Sequence, residues 1–437
     1  MRKLLLSTFI AFSFYTNAQQ PILDEWMLNT NGILNQYWEN SNGNTNNPSY
    51  VHHTSTDSAD VLQLCYSNDS VWIRSNGLPD STGKYSNPGI ASAQKYVFRF
   101  PRNPQAATNK VTCPNVSVAA VLINGVPIYG KGDATSWDPP STSNANQGAG
   151  IWNVNAWYDE GFTLDSMYGA HPAQSGDYHS HATPKALYDF PAVTHSPIVG
   201  FALDGYPIYG PYAYVSAMDN TSGLTRMKTS YILRNITQRH VLPDGTTLAP
   251  PDWGPDINST YELGMYNEDY EYVGSSGDLD EYNGRFCVTP EYPNGTYAYF
   301  VAADANGYPE YPYYIGNEYY GIPDTINFYG GAYNMQIPKT ATVCSSTSQI
   351  IESSVTSQFE IFPNPTQNIF TINSTGISAK KYSIQITDEL GRIINTYSII
   401  SEKQQIILDD HFNSGFYFVS LINDKNKIEK VRKLMVL

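Results

Sequence analysis

Two stretches of nearly the same pattern, VLINGVPIYG at residues 121–130 and FALDGYPIYG at 201–210, constrain this chain more than any other feature. Each places apolar residues on both sides of an Asn-Gly or Asp-Gly dipeptide, which favours a tight hairpin whose two central residues take positive φ. Two hairpins of one design, 80 residues apart, suggest a β-rich body with a partial duplication. A third turn of this kind lies in EYPNGTYAYFV. Pro127 and Pro207 cannot donate to a sheet ladder, so the second strand of each hairpin is expected at a sheet edge or a bulge. The repeat also bears on Asp204, which as an isolated carboxylate invites a metal-ligand or general-base role. The first copy carries Asn124 at the equivalent place, and a neutral amide serves a turn equally well, so Asp204 reads as a turn former.

Composition agrees. Against 15% charged residues stand 35 Tyr, 32 Gly and 28 Pro, which favours short strands and turns over long solvated helices. The expected fold class is mostly β. The chain opens MRKLLLSTFIAFSFYTNAQQ, where Arg2 and Lys3 precede an apolar run from Leu4 to Phe14 and the small residue Ala18. Residues 1–18 read as a secretory signal peptide cleaved after Ala18. The run falls short of the roughly 20 apolar residues a membrane anchor needs, and no later segment comes close. A water-soluble exported protein is expected, and roughly 420 residues call for at least two domains.

Near residue 345 the composition changes. CSSTSQIIESSVTSQ is Ser/Thr-rich after a tyrosine-crowded region, so residues 345–358 read as a linker between a body at 19–344 and a tail at 359–437. The tail holds short alternating strands (NIFTINS, YSIQITD, RIINTYSI, FYFVSLIN, KVRKLMVL) separated by Asn, Asp and Gly, the pattern of a small β-sandwich. FEIFPNPTQNIFTI, ITDELGRII, SGFYFVSL and KVRKLMVL together resemble the C-terminal sorting domain read by the type IX secretion system of certain Gram-negative bacteria. Pro363-Asn364-Pro365, Gly391-Arg392 and Gly415-Phe416-Tyr417 carry the match. The resemblance implies passage through the periplasm and across the outer membrane to the cell surface or the medium, with the type IX machinery as partner of residues 359–437.

Charge is uneven. The tail has nine basic and eight acidic residues; removing these and the Arg2–Lys3 pair from the whole-chain totals of 25 and 40 leaves about 14 basic and 32 acidic residues in the body. So acidic a body repels nucleic acid and attracts cations. Its four cysteines, Cys65, Cys113, Cys287 and Cys344, form no CxxC pair, which disfavours a thiolate zinc site or a redox motif. Export favours one or two disulfides. Three pairings are open, and proximity within each half of the body favours Cys65 with Cys113 and Cys287 with Cys344.

Four of the eight histidines, His171, His179, His181 and His195, fall within 25 residues. In YHSH, strand alternation sends His179 and His181 to the same face, where two imidazoles can converge on one cation. His171 lies one loop earlier and His195 opens the next apolar strand, so three or four nitrogens can meet. With no Cys or Met nearby, the set suits Cu(II) or Zn(II) better than Cu(I). The competing reading is a group of interfacial histidines bonded to tyrosine hydroxyls and backbone carbonyls.

YGAHPAQSGDYHSHATP, THSPIVGFALDGYPIYGPY and LDEYNGRFCVTPEYPNGTYAYFV resemble, in this order, the YHYH family of secreted bacterial proteins. GLPDSTGKYSN, FRFPRNP and VLINGVPIYG extend the resemblance, which runs from about residue 60 to 335. The family tetrapeptide Tyr-His-Tyr-His reads here Tyr178-His179-Ser180-His181, so a role requiring the second ring is lost. The family implies a secreted domain and no particular reaction.

Two further segments invite readings. DLDEYNGR offers Asp278, Asp280 and Asn283 as the opening of a calcium loop, but Tyr282 occupies a ligand position and Gly284 arrives one residue late, so an ordinary turn is favoured over calcium. GYPEYPYYIGNEYYG, residues 307–321, presents tyrosines suited to stacking on sugar rings or to core packing. No nucleophile elbow, phosphate loop or HExxH helix is present. The sequence therefore leaves open a metal-binding protein without turnover, a metal-dependent enzyme, and a surface glycan-binding or adhesion module.

Overall fold

The computed structural model describes residues 20–87, 89–145 and 148–346, and in the tail 359–362, 366, 369–374, 382–388, 392–399, 403–408, 412–413, 415–423 and 428–436. The signal segment, residues 347–358, Pro363–Pro365 and Gly391 lie outside them. The fold is β-rich, with 38% strand against 9% helix. The chain divides into two compact units, one ending at Thr347 and one beginning at Ser348.

In the first unit a short helix, Pro21–Asp24, and a hairpin of Leu34–Asn40 with Tyr50–Ser58 precede β1 (Val61–Tyr66), β2 (Ser70–Ser75) and β3 (Tyr96–Pro101). Then come β4 (Val118–Leu122), β5 (Pro127–Tyr129), the short helix α1 (Ala156–Glu160), β6 (Ala170–Pro172) and β7 (Tyr178–Ser180). β8 (Ile198–Ala202), β9 (Pro207–Tyr209), β10 (Gly284–Cys287), β11 (Thr296–Phe300) and β12 (Thr342–Ser346) follow. One sheet has the order β12-β1-β2-β3; the larger runs β6-β7-β5-β4-β8-β9-β11-β10. Every residue of β4, β8 and β11 is buried, so these strands read as continuous apolar runs rather than alternating ones. Leu64, Val71, Ile73, Phe98 and Phe100 of the smaller sheet join the same core. β12 carries the body to Ser346, pairing Ser345 with Leu64 and Ser346 with Gln63, so the first two residues of the expected linker are strand.

The internal echo becomes a symmetric sheet. β4 and β8 pair antiparallel at its centre, and outward from them each half repeats one plan. The hairpin β4–β5 takes β7 in parallel, with Ser180 opposite Ile128, and the hairpin β8–β9 takes β11 in parallel, with Tyr299 opposite Ile208. Antiparallel β6 and β10 close the two outer edges. Of the two alternatives for β5 and β9, an edge or a bulge, the structure takes the second: both lie inside the sheet, each proline is the first strand residue and each hairpin carries a register shift. The expectation that both turn residues take positive φ does not hold. Only Gly125 (+82°) and Gly205 (+86°) do so, each donating its N–H at 2.8 Å to the carbonyl three residues back, Leu122 and Ala202. The turns are glycine-closed three-residue loops. Asn124 and Asp204 hold them from fully buried positions, accepting from the Val126 and Tyr206 amides. Asp204 also accepts from the Tyr299 hydroxyl (2.6 Å) and the Gly321 amide (2.8 Å), which confirms its turn-forming role.

Neither favoured disulfide forms: Cys113 and Cys287 are buried free thiols. Export permits a bridge, but the sheet places each of these cysteines in apolar core without a paired sulfur.

The tail is a small sandwich of two sheets. With β13 (Glu360–Phe362), β14 (Ile369–Asn373), β15 (Tyr382–Asp388), β16 (Ile393–Ser398), β17 (Lys403–Ile407), β18 (Gly415–Asn423) and β19 (Ile428–Val436), the orders are β13-β14-β17 and β16-β15-β18-β19. Phe370, Ile372, Ile384, Ile386, Val419 and Leu434 share one core. Alternate residues of β15 and β17 are buried, as a sheet with one wet face requires. Among the described residues no helix is long and apolar enough to cross a membrane.

Candidate metal centre

The outer edge of the first half-sheet carries the chemistry. β6 and β7 pair antiparallel with His171 opposite His179, and alternation along the chain puts His181 on the same side as His179. The three rings meet edge to face at centroid separations of 4.9, 5.5 and 4.8 Å, and one nitrogen from each lies within 4.8 Å of the others. All three residues are at least 95% buried.

Which nitrogen faces the centre follows from what holds the other one. His179 Nδ1 lies 2.8 Å from the Asp177 carbonyl and His181 Nδ1 lies 3.3 Å from the Gly130 carbonyl, so both must donate. His171 Nδ1 lies 2.8 Å from the Thr163 hydroxyl, which spends its own proton on the Glu160 carbonyl at 2.7 Å; the Asn87 amide stands further off at 3.5 Å. His171 therefore donates as well. Each ring has its proton on Nδ1 and presents a lone pair at Nε2, the tautomer that ligates metals. His181 Nε2 is buried without a hydrogen-bond partner. Burial holds the imidazoles neutral, and neighbouring rings add to it for His171 and His179: His179 and His181 are pushed down to about 4, and His171 well below the ordinary value.

A carboxylate stands beside two of the three rings. Asn155 caps α1 by accepting from the Trp157 and Tyr158 amides, and the helix ends at Glu160. Glu160 then places Oε2 3.4 Å from His171 Nε2 and Oε1 3.3 Å from His181 Nε2. Burial, with Asp133 next in effect, pushes its carboxyl up to about 7. The four residues border a cavity of about 220 Å³ whose walls include Asn87, Tyr129 and Asp133. Tyr129 stacks on His179 at 4.2 Å and donates to Asp177 at 2.5 Å, so Asp177 fixes His179 through its carbonyl and its stacking partner through its carboxylate. Tyr96 and Tyr333 hydroxyls bond the same carboxylate.

Of the four histidines expected together, His195 does not join. It is held by its Nδ1 contact to the Ser196 carbonyl (2.8 Å) and packs against Tyr209 and Tyr214 in the other half of the sheet. Glu160 takes the fourth place. Eleven residues before His171, on a helix no periodicity announces, it offered no spacing signal. The symmetric half has no equivalent: register matches His179 to Ala298, His181 to Phe300 and His171 to Arg285. One copy of a duplicated scaffold holds the cluster.

The other singled-out segments serve structure. Asp280 accepts from the Tyr282 and Gly284 amides and from the Tyr297 hydroxyl, Asp278 accepts from the Lys228 amide, and Asn283 donates to the Phe300 and Tyr314 carbonyls. In the 307–321 tract Tyr311, Tyr313, Tyr314 and Tyr319 are core residues, and Tyr308 is the exposed ring. Ser180 is fully buried and donates to the Tyr168 carbonyl at 2.7 Å beside the Tyr314 hydroxyl at 2.8 Å.

Comparison with known proteins places these features. A stretch of 92 residues is 32% identical to ulvan lyase NLR42 of Nonlabens ulvanivorans, covering 21% of this chain and 16% of that protein, so the chain spans about a sixth of this relative. PorZ, an essential surface component of the type IX secretion system of Porphyromonas gingivalis, superposes with a TM-score of 0.16 at 12% identity over 90% of this chain and 55% of that one. Residues 360–437 match the secretion system C-terminal sorting domain, which marks the protein for the outer surface or the extracellular space. The YHYH match spans residues 97–313, narrower than the motifs suggested, and contains the whole histidine cluster with Glu160. The chain thus carries a YHYH domain at residues 97–313 and a type IX C-terminal sorting domain at residues 360–437.

Proposed function

We propose that this exported protein binds a divalent transition metal, Cu(II) or Zn(II), through His171, His179 and His181, with Glu160 as a fourth donor. The observation that carries the reading is the shared tautomer: three Nδ1–H groups are spent on oxygen acceptors, leaving three Nε2 lone pairs and a carboxylate gathered in one buried place. Without a cation the buried His181 Nε2 has no hydrogen-bond partner. Three imidazoles and a carboxylate form a borderline donor set, suited to Zn(II) or Cu(II). Two nitrogens on one ion at about 2.1 Å stand no more than about 4.2 Å apart. The observed spread of up to 4.8 Å therefore closes on binding.

A metal-dependent enzyme is the second reading. It is supported by the 220 Å³ cavity beside the cluster and by a carboxyl pushed up to about 7, a value suited to moving a proton at neutral pH. The short likeness to a lyase assigns no substrate to this chain.

Elemental analysis of the chain purified without chelator, with Cu(II) and Zn(II) titration of wild type, His179→Ala and His181→Ala, tests the metal. Stoichiometric metal in the wild type and at least about tenfold weaker binding in each variant are expected. No bound metal, or equal affinity in all three proteins, overturns the reading.

A further inference from the structure

A second cavity lies behind the histidine site, divided from it by the run Tyr129–Asp133. Tyr129, Gly132 and Asp133 line the histidine cavity, whereas Lys131 lines one of about 430 Å³ on the other side. The larger space has an exposed rim at Ile151 and Asp244 and a buried floor that includes Cys113, Asn267 and Tyr311. Its volume falls in the range of small-molecule sites.

The polar groups in its wall are unbalanced. Lys131 is 8% exposed, and its ammonium makes one hydrogen bond, to the Gly316 carbonyl at 3.3 Å, and no ion pair among the described residues. An ammonium has three donors, so two lack a protein partner. Glu268 also lines the wall, anchored by the Asn153 backbone amide at 2.7 Å and side-chain amide at 3.4 Å. The Asn153 side-chain amide is also committed to the Gly150 and Ile151 carbonyls, which fixes its oxygen, and neither that oxygen nor the Asn267 Oδ1 has a partner. Asn267 is 95% buried.

Burial pushes the Glu268 carboxyl up to about 7 and lowers Lys131 from its ordinary value, so neither wall group offers a full, fixed charge to a simple cation or anion. Hydroxyl groups satisfy both, because each donates to a carboxylate or amide oxygen and accepts from an ammonium. Leu242, Pro243 and Tyr311 add apolar surface for the C–H face of a ring. We propose that the Lys131 cavity is a binding site for a neutral sugar of monosaccharide size, separate from the histidine cluster.

The test is calorimetric titration of the full-length chain in the presence of EDTA, with glucose, galactose, mannose and xylose as probes and sodium acetate and glycine as controls. Saturable binding of at least one neutral sugar is expected. Lys131→Met should weaken it about tenfold or more, the size of a lost hydrogen bond to a charged group. Ile151→Trp, on the exposed rim where folding is not at stake, should weaken it as much by narrowing the mouth. No saturable binding of any of the four sugars, tighter binding of acetate or glycine, or wild-type affinity in Ile151→Trp would each overturn the proposal.

Discussion

His171 and His179 are direct partners across the β6–β7 ladder, and their rings meet edge to face 4.9 Å apart. Directly opposed residues hold their Cβ atoms about 4.5–5.5 Å apart, close enough for two imidazoles to serve one ion. His181 joins from the residue just past the end of β7, and Glu160 from the end of α1. Three separate backbone elements therefore fix the four donors.

Glu160→Gln removes the charged donor while keeping its shape, and His195→Ala removes a histidine that packs elsewhere. Zinc or copper affinity should fall at least about tenfold in the first and stay within about twofold of wild type in the second. Competition titration against a chromogenic chelator separates them. The reverse order would restore His195 to the site.

In the metal-free protein the clustered histidines should oppose folding on mild acidification. Folded His179 and His181 take protons only near about 4, against roughly 6.5 when unfolded, so their contribution is fully present above about 6.5 and lost as pH falls towards 4. His171 shifts in the same direction. Glu160 acts oppositely, stabilising fully below its unfolded value of about 4.5 and ceasing to do so as pH rises through about 7. Other buried carboxyls, Asp60 and Glu268 at about 7 and Asp204 at about 6, also stabilise as pH falls, so the histidines' share is read by difference. Between pH 7 and pH 4.5 the urea midpoint of EDTA-treated wild type should shift downward relative to that of His179→Ala/His181→Ala; an equal change in both proteins contradicts this assignment.

Ser180→Ala should separate stability from metal binding. Ser180 lies on the strand face opposite His179 and His181, and its hydroxyl satisfies the Tyr168 carbonyl in a fully buried place. Losing that bond should cost about 1–3 kcal/mol. Denaturant unfolding should show the loss while zinc affinity stays unchanged; an undiminished unfolding free energy would mean that another group takes up the carbonyl.

Deleting residues 359–437 removes the sorting domain without touching the core of the first unit. The truncated protein should fold, retain its metal affinity and accumulate in the periplasm. Fractionation followed by immunodetection decides the point, since export at the normal level would show that the tail is dispensable.

What the sequence by itself determined follows from local rules. Strand alternation and turn chemistry announced a β-rich body, a sandwich tail and the repeated hairpin, and the period of two put His179 and His181 on one side. Sorting motifs in the tail are contiguous, so they too were legible. What only the tertiary structure decided depends on contacts between residues distant in sequence. The symmetric sheet carries His195 into the half that holds Tyr209 and brings Glu160 into the half that holds His181, although His195 is nearer in sequence to the YHSH motif's end than its exclusion would suggest. The same packing leaves Cys113 and Cys287 without a paired sulfur and makes interior strands of β5 and β9. Periodicity sets which face a side chain takes, whereas the order of strands in the sheet sets what that face meets.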